Sequence, residues 1–448
     1  MFGGGPAEFA GGFGAPAGAY GLPAAGGFGF GDPDVAGGMN AGAFGQPVPG
    51  GFGAPAGAFG DPFGGGGRQF APDGSSVPKF AGQAPAEGFG RQSKASRGSG
   101  GGGAGGSATA HSDAISDLAF SPAGDGRNYL LAAVWDGEAR VSTITSVDKA
   151  ELVASIRPTE DGAPLLCCAW SADGQRAVLG GCDNALRSWD VASGAVRLVG
   201  QHAAPIRCVT GARDGERFTH ATGSWDKTVR FWDERTGTEA VHSLEVSERV
   251  FAMSAVGHTL VVATANRKNH VIDLRNPSRV DQTMSSPLTS QTRCIAVFPD
   301  EAGFVVGGLE ARCGVQVFGD VSKNFTFKCH RVAPARGEAG ATLAYPLNGL
   351  SFHPSAGSFV TTGGDGGVCL WDKEKRQRLK KLFQPAVGVG VGRQASRPEA
   401  APTGASAFSH DGKLLAVAVG QNEVGHKESE YFVRIHATPD SVVKSRRR

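Results

Sequence analysis

HAAPIRCVTGARDGERFTHATGSWDKTVRFWD, residues 202–233, decides the fold. It opens on a histidine, runs through a short apolar strand, crosses a polar turn and returns as a second strand rich in small residues. An Asp-containing turn then leads into a third, alternating strand that ends in Trp-Asp. Related copies are CCAWSADGQRAVLGGCDNALRSWD (167–190) and LSFHPSAGSFVTTGGDGGVCLWD (350–372). The turn aspartates measure the period: Asp136, Asp183 and Asp226 lie 47 and 43 residues apart. A repeat of ~40–45 residues with W-D endings predicts four-stranded blades, each unable to bury both faces alone and stable only when packed on its neighbours around a central channel.

Working outward, seven such units are centred on 115–145, 165–190, 206–233, 249–274, 293–318, 348–372 and 405–436. The predicted fold is therefore all-β, a seven-bladed WD-repeat β-propeller over 111–438. Blades four, five and seven are degenerate; ANRKNHVIDL stands in blade four where blade three has SWDKTVRFWD. Asp226 sits in a tight turn whose backbone N–H groups an Asp side chain can accept. His202 precedes it by 24 residues and Trp232 follows by six. In WD-repeat proteins these residue types, with a Ser or Thr, form a buried hydrogen-bonded clip. His111 with Asp136 is a second candidate pair, and Asp183 and Asp365 occupy the same place in their blades. A catalytic His–Asp reading explains neither the spacing nor its repetition. The last strand, YFVRIHA (431–437), needs an outer partner, expected from about residues 106–113 or from nearer Val77–Ala81.

The first part of the chain is of another kind. Residues 1–94 are dominated by Gly, Ala, Pro and Phe, and nine Phe-Gly pairs begin at Phe2, Phe13, Phe28, Phe30, Phe44, Phe52, Phe59, Phe63 and Phe89. Such a segment buries too little apolar surface to offset backbone entropy and is expected to be disordered, its phenylalanines acting as transient hydrophobic stickers. Residues 95–110, ASRGSGGGGAGGSATA, read as a flexible linker, and 439–448, ending in KSRRR, as a basic tail.

Composition narrows the function. Net charge is +2, and residues 1–92 hold six acidic and three basic residues, so the remainder carries 41 basic and 36 acidic; that excess alone does not make a nucleic-acid binder. The eight cysteines form no C-x-x-C pair and read as buried thiols, with no metal site and no cofactor expected. The first basic residue is Arg68 and no apolar run approaches ~20 residues, so a signal peptide and a membrane span are not expected. There is no nucleophile elbow, phosphate-binding loop or H-E-x-x-H, and no residue is assigned to catalysis.

Specific strings go further. QHAAPIRCV (201–209), TGSWDKTVRFWD (222–233), NFTFKCHR (324–331), NGLSFHP (348–354), LWDKEKRQRLK (370–380) and GHKE (425–428) resemble the nuclear-pore mRNA export factors of the WD-repeat family. VIDLRNP (271–277) and QTRCIAVFP (291–299) suit equally the related mitotic-checkpoint propellers, which bind GLEBS-like motifs of checkpoint kinases. The resemblance implies a nuclear-pore adaptor found in nucleus and cytoplasm. Its propeller, a monomer without membrane contact, would bind an FG-nucleoporin through a GLEBS-type peptide on its top face. It also implies a side groove similar to a single-stranded RNA site, lined by Arg312, Phe327, Lys328, Trp371, Asp372, Lys373, Arg376 and Arg378. The Phe-Gly tail is similar to the repeats that nuclear transport receptors bind. It is also a departure, since the export factors usually lack repeats of their own.

Overall fold

The computed structural model describes residues 106–122, 126–159, 161–211, 218–332, 341–383, 402–420 and 431–444. The chain divides into two units, 1–94 and 95–448. The first, with all nine Phe-Gly phenylalanines, lies outside the described residues.

Seven four-stranded antiparallel sheets form the blades of a propeller. Six are consecutive meanders. The seventh takes its outer strand from the N-terminal side: Gly106–His111 pairs with Tyr431–Ala437, His111 opposite Tyr431. The linker expected over 95–110 therefore loses its last five residues to the ring. The physical reason is the edge of Tyr431–Ala437, whose backbone groups need the partner that Gly106–His111 supplies. Arg140 in blade one fastens this strand by donating to the Ala110 carbonyl (2.7 Å).

Hydrophobic burial follows the ring. Seven apolar clusters are present, one in each gap between adjacent blades. The blades' second strands are nearly wholly buried, for instance Gly303–Gly308 and Ser358–Gly363, because both their faces meet a neighbour. The basic tail expected over 439–448 also begins later than the sequence suggests. Asp440–Val443 is a helical turn, with Val443 buried against Val360, Leu370 and Leu415. Val442 packs on the same cluster, so two apolar side chains dock that turn.

Asp136, Asp183, Asp226 and Asp365 all occupy the turn between the second and third strands of their blades. The next residue turns left-handed in each: Gly137, Asn184, Lys227 and Gly366 have φ of 78°, 66°, 67° and 68°. The aspartate accepts the N–H two residues on, Glu138, Ala185, Thr228 and Gly367 respectively, which fixes the turn.

Blades two and three are further tied by a buried carboxylate. Glu234 accepts from His220 Nε2 (2.5 Å), Arg176 (2.8 Å) and Arg197 (2.5 Å). Burial alone would raise its pKa, but the His220 hydrogen bond and the two guanidinium groups outweigh that and hold it at about 2 against an ordinary 4.5. A depressed carboxyl contributes stability that is complete above pH ~4.5 and is lost as pH falls towards ~2. Glu234→Gln is therefore expected to cost on the order of 2–3 kcal/mol at neutral pH and to flatten the acid limb of the stability curve. Urea midpoints measured between pH 6 and 2.5 check this; parallel curves for the two proteins would refute it.

Candidate functional sites on the propeller

Two regions combine charge, aromatic surface and access. The first is the central channel, a cavity of about 620 Å3. In six blades the pairing register slips at the second residue of the inner strand, at Ser116, Leu166, Arg207, Phe251, Arg293 and Asn348; blade seven slips between Thr403 and Ser406. Such bulges re-aim side chains. Five of these six residues, all but Leu166, line the channel. They lie at the end bearing the aspartate turns, since each inner strand starts opposite the end of the second strand, as Ile206 does opposite Ser224. Arg207 and Arg293 are the charged members of this ring, with Asp117 one residue deeper. Solvent reaches Arg293 through the mouth, yet surrounding protein, and then Arg207, pull its pKa below the usual value. Burial raises the Asp117 carboxyl to about 6, although it accepts N–H groups of Cys168 (3.0 Å) and Leu118 (2.9 Å).

The second region is a groove between the outer strand of blade five, Phe325–Lys328, and blade six. A pocket of about 80 Å3 is lined by Phe325, Phe327, Lys328, Phe359, Trp371, Asp372, Arg376 and Gln377. Phe327 is its centre, with ring centroids 4.6 Å from Trp371, 6.1 Å from Phe325 and 6.3 Å from Phe359. Arg376 adopts a left-handed φ of 54° and lays its guanidinium over Phe325, 4.6 Å from the ring centre. A cation held on an aromatic face is partly pre-oriented for an incoming anion.

Five of the eight residues expected in the groove meet at this pocket: Phe327, Lys328, Trp371, Asp372 and Arg376. Arg312 stands beside it, opposite Lys328 in the strand register, with its guanidinium 3.5 Å from Thr326 Oγ1. Arg378 is exposed on the outer strand of blade six, in register with Trp371. Lys373 corrects the expectation. Its side chain is nine-tenths buried, its Nζ pairs with Asp300 of blade five, and it lies 4.4 Å from the Phe298 ring centre. The carboxylate and the aromatic face together hold it away from the pocket.

The clip residues separate into two types. His202 bonds Asp226 through Nδ1 (2.8 Å) and Thr222 through Nε2 (2.7 Å), and Trp232 donates to the same Thr222 hydroxyl (2.7 Å). Blade six repeats this tetrad: His330 bonds Asp365 (2.6 Å) and Thr361 (2.8 Å), and Trp371 donates to Thr361 (2.9 Å). Trp371 thus has two duties, as a clip member through its N–H and as a pocket wall through its ring. In blades one and two the aspartate is held by cations instead. Asp136 accepts from Ser112 and from Arg157 (2.7 Å), with Ser142 standing where blades two, three and six have Trp189, Trp232 and Trp371, and Asp183 accepts from Arg187. His111, the other member of the expected pair, lies close enough for the Asp136 and Glu138 carboxylates to act on its ring, while burial lowers its pKa to about 4.

His330 is the functional neighbour that sequence reading missed. Its aspartate lies 35 residues on rather than 24, because the paired segments Arg331–Val332 and Leu343–Ala344 and the sequence between them intervene. The signal was available from the other side, since Trp371 follows Asp365 by the same six residues as Trp232 follows Asp226.

Comparison with known proteins agrees with this architecture. The WD domain, G-beta repeat family matches residues 151–190, 195–233 and 340–372. The chain is 35% identical to mRNA export factor GLE2 of Chaetomium thermophilum, over 68% of this chain and 81% of that protein. It is 33% identical to the Poly(A)+ RNA export protein of Schizosaccharomyces pombe, over 75% and 90%. It is 36% identical to mitotic checkpoint protein BUB3.1 of Arabidopsis thaliana, over 72% and 90%. The seven-bladed ring, the repeated clips and these extended likenesses together show that the chain belongs to the WD-repeat family of mRNA export factors.

Proposed function

We propose that this protein is a nuclear-pore adaptor in mRNA export with two binding surfaces on its propeller and a third in its tail. The single observation that carries the reading is the groove, where Lys328 and Arg376 flank a floor of Phe325, Phe327, Phe359 and Trp371. Cations beside accessible aromatic rings suit unpaired nucleotides, whose phosphates and base faces they meet together, better than a duplex, whose bases are stacked away. The channel mouth is the surface for a GLEBS-type peptide of an FG-nucleoporin. There Arg207 and Arg293 offer forked donors to carboxylates of such a peptide. Recovery of an FG-nucleoporin by affinity capture on the whole protein supports this reading. Recovery of checkpoint kinases instead supports the second, a checkpoint scaffold, which the likeness to BUB3.1 favours.

The tail is the surface for nuclear transport receptors. Each of nine phenylalanines offers a weak apolar contact, and many on one chain give avidity without new contacts. Replacing all nine by serine is expected to lower receptor binding by ~100-fold or more while leaving the propeller's thermal midpoint unchanged. Surface plasmon resonance and a melt on the same two proteins check it. A shifted midpoint would mean that the phenylalanines contribute to the fold.

A further inference from the structure

We propose that the groove reads the base as well as the backbone: its pocket takes cytosine in preference to uracil, and Asp372 is the residue that discriminates. The inference rests on the groove being a single-stranded RNA site. Asp372 is the one carboxylate lining the pocket. Its Oδ1 accepts the backbone N–H groups of Glu374 and Lys375, both at 2.9 Å, which fixes the carboxylate plane. No hydrogen bond reaches Oδ2 among the described residues. Lys373, the adjacent cation, is drawn off to Asp300 and Phe298. Arg376 is stacked on Phe325. The pocket therefore keeps an open acceptor at its wall.

An ionised carboxylate accepts and does not donate. Cytosine presents an N4 amino group at the position where uracil presents the O4 carbonyl, so cytosine donates to Oδ2 while uracil sets lone pairs against it. Size acts in the same direction. A closed cavity of ~150 Å3 holds benzene. An open pocket of about 80 Å3 thus admits the edge of a single ring lying against Phe327 and Trp371, and accommodates a fused purine less well. Lys328 and Arg376 at the rim remain for the flanking phosphates.

Short oligocytidine, oligouridine and oligoadenosine, titrated against the whole protein by fluorescence anisotropy at one salt concentration, test this. Oligocytidine is expected to bind about tenfold tighter than oligouridine, with oligoadenosine weaker than oligocytidine. Oligocytidine dimethylated at N4, which has no donor there, is expected to fall to the oligouridine level on the unaltered protein. Asp372→Asn keeps a side-chain oxygen for the turn and adds an amide donor for O4, and is expected to bring the two pyrimidines within about twofold. Equal affinity for the two pyrimidines, no effect of dimethylation, or tighter binding of oligoadenosine overturns the base reading while leaving an RNA groove in place. Failure of every oligonucleotide to bind at about 50 mM salt removes the RNA groove itself, and the base reading with it.

Discussion

Trp232→Ala is expected to cost the propeller about 4–5 kcal/mol, and Trp371→Ala about half as much. The two side chains make the same hydrogen bond to a threonine in the same tetrad, so the difference isolates packing. Trp232 is 1% exposed and fills the gap between blades two and three so closely that a Cβ on Gly200 would sit 2.0 Å from its ring. Its loss leaves a cavity bounded by rigid strands, which cannot collapse. The Trp371 ring is half-buried at the pocket, and water can take the place it vacates. Urea unfolding of both variants measures the difference. Equal losses would show that the hydrogen bond, not the ring, sets the stability of these blades.

Reversing Lys328 and Arg376 together to glutamate is expected to weaken single-stranded RNA binding by about 100-fold at ~50 mM salt and to lower the slope of log affinity against log salt by about 2. Both residues are exposed and neither closes a buried ion pair, so the fold should tolerate the change. The reciprocal variant reverses Arg207 and Arg293 at the channel mouth. It should release a GLEBS-type peptide and leave RNA affinity within about threefold, because the channel and the groove share no lining residue. Isothermal titration of both ligands on both variants reads all four outcomes. Loss of both ligands in either variant would mean one shared surface. RNA affinity untouched by the first reversal would mark the groove as an ordinary solvated face.

Much of the fold was legible because the physics of a blade is local. The aspartate turn, the left-handed residue beside it and the alternating third strand all lie within a dozen residues, and they recur. The closing strand was legible as a need with two candidate stretches, and the structure takes the one at about 106–113. Nothing in GSATAH marks it as a strand, and its register is imposed by Tyr431–Ala437. The groove was half legible. NFTFKCHR and the run after Trp371 place aromatic and basic residues on neighbouring blades, but alternation along a strand does not say which cations turn back to the protein. Lys373 does so because Asp300 and Phe298, about 75 residues earlier, happen to face it. His330 was hidden by an insertion that changes spacing without changing geometry. The channel arginines were invisible as a pair, since only the repeated bulge turns the same position of different blades towards one axis.

The strand at Gly106–His111 also sets a schedule. It leaves the ribosome about 320 residues before the strand that it pairs with. At ~5–20 residues per second it waits on the order of 15–65 s for that partner. Blades one to six can assemble during synthesis, each on the one before, but the circle cannot. Only a chain translated through Tyr431–Ala437 can close, so a product that stops short leaves blade seven open and its outer strand without a partner. Closure thus reports completeness: an interrupted chain displays an unpaired strand and an uncovered apolar face, the features by which chaperones and proteases distinguish unfinished protein from finished.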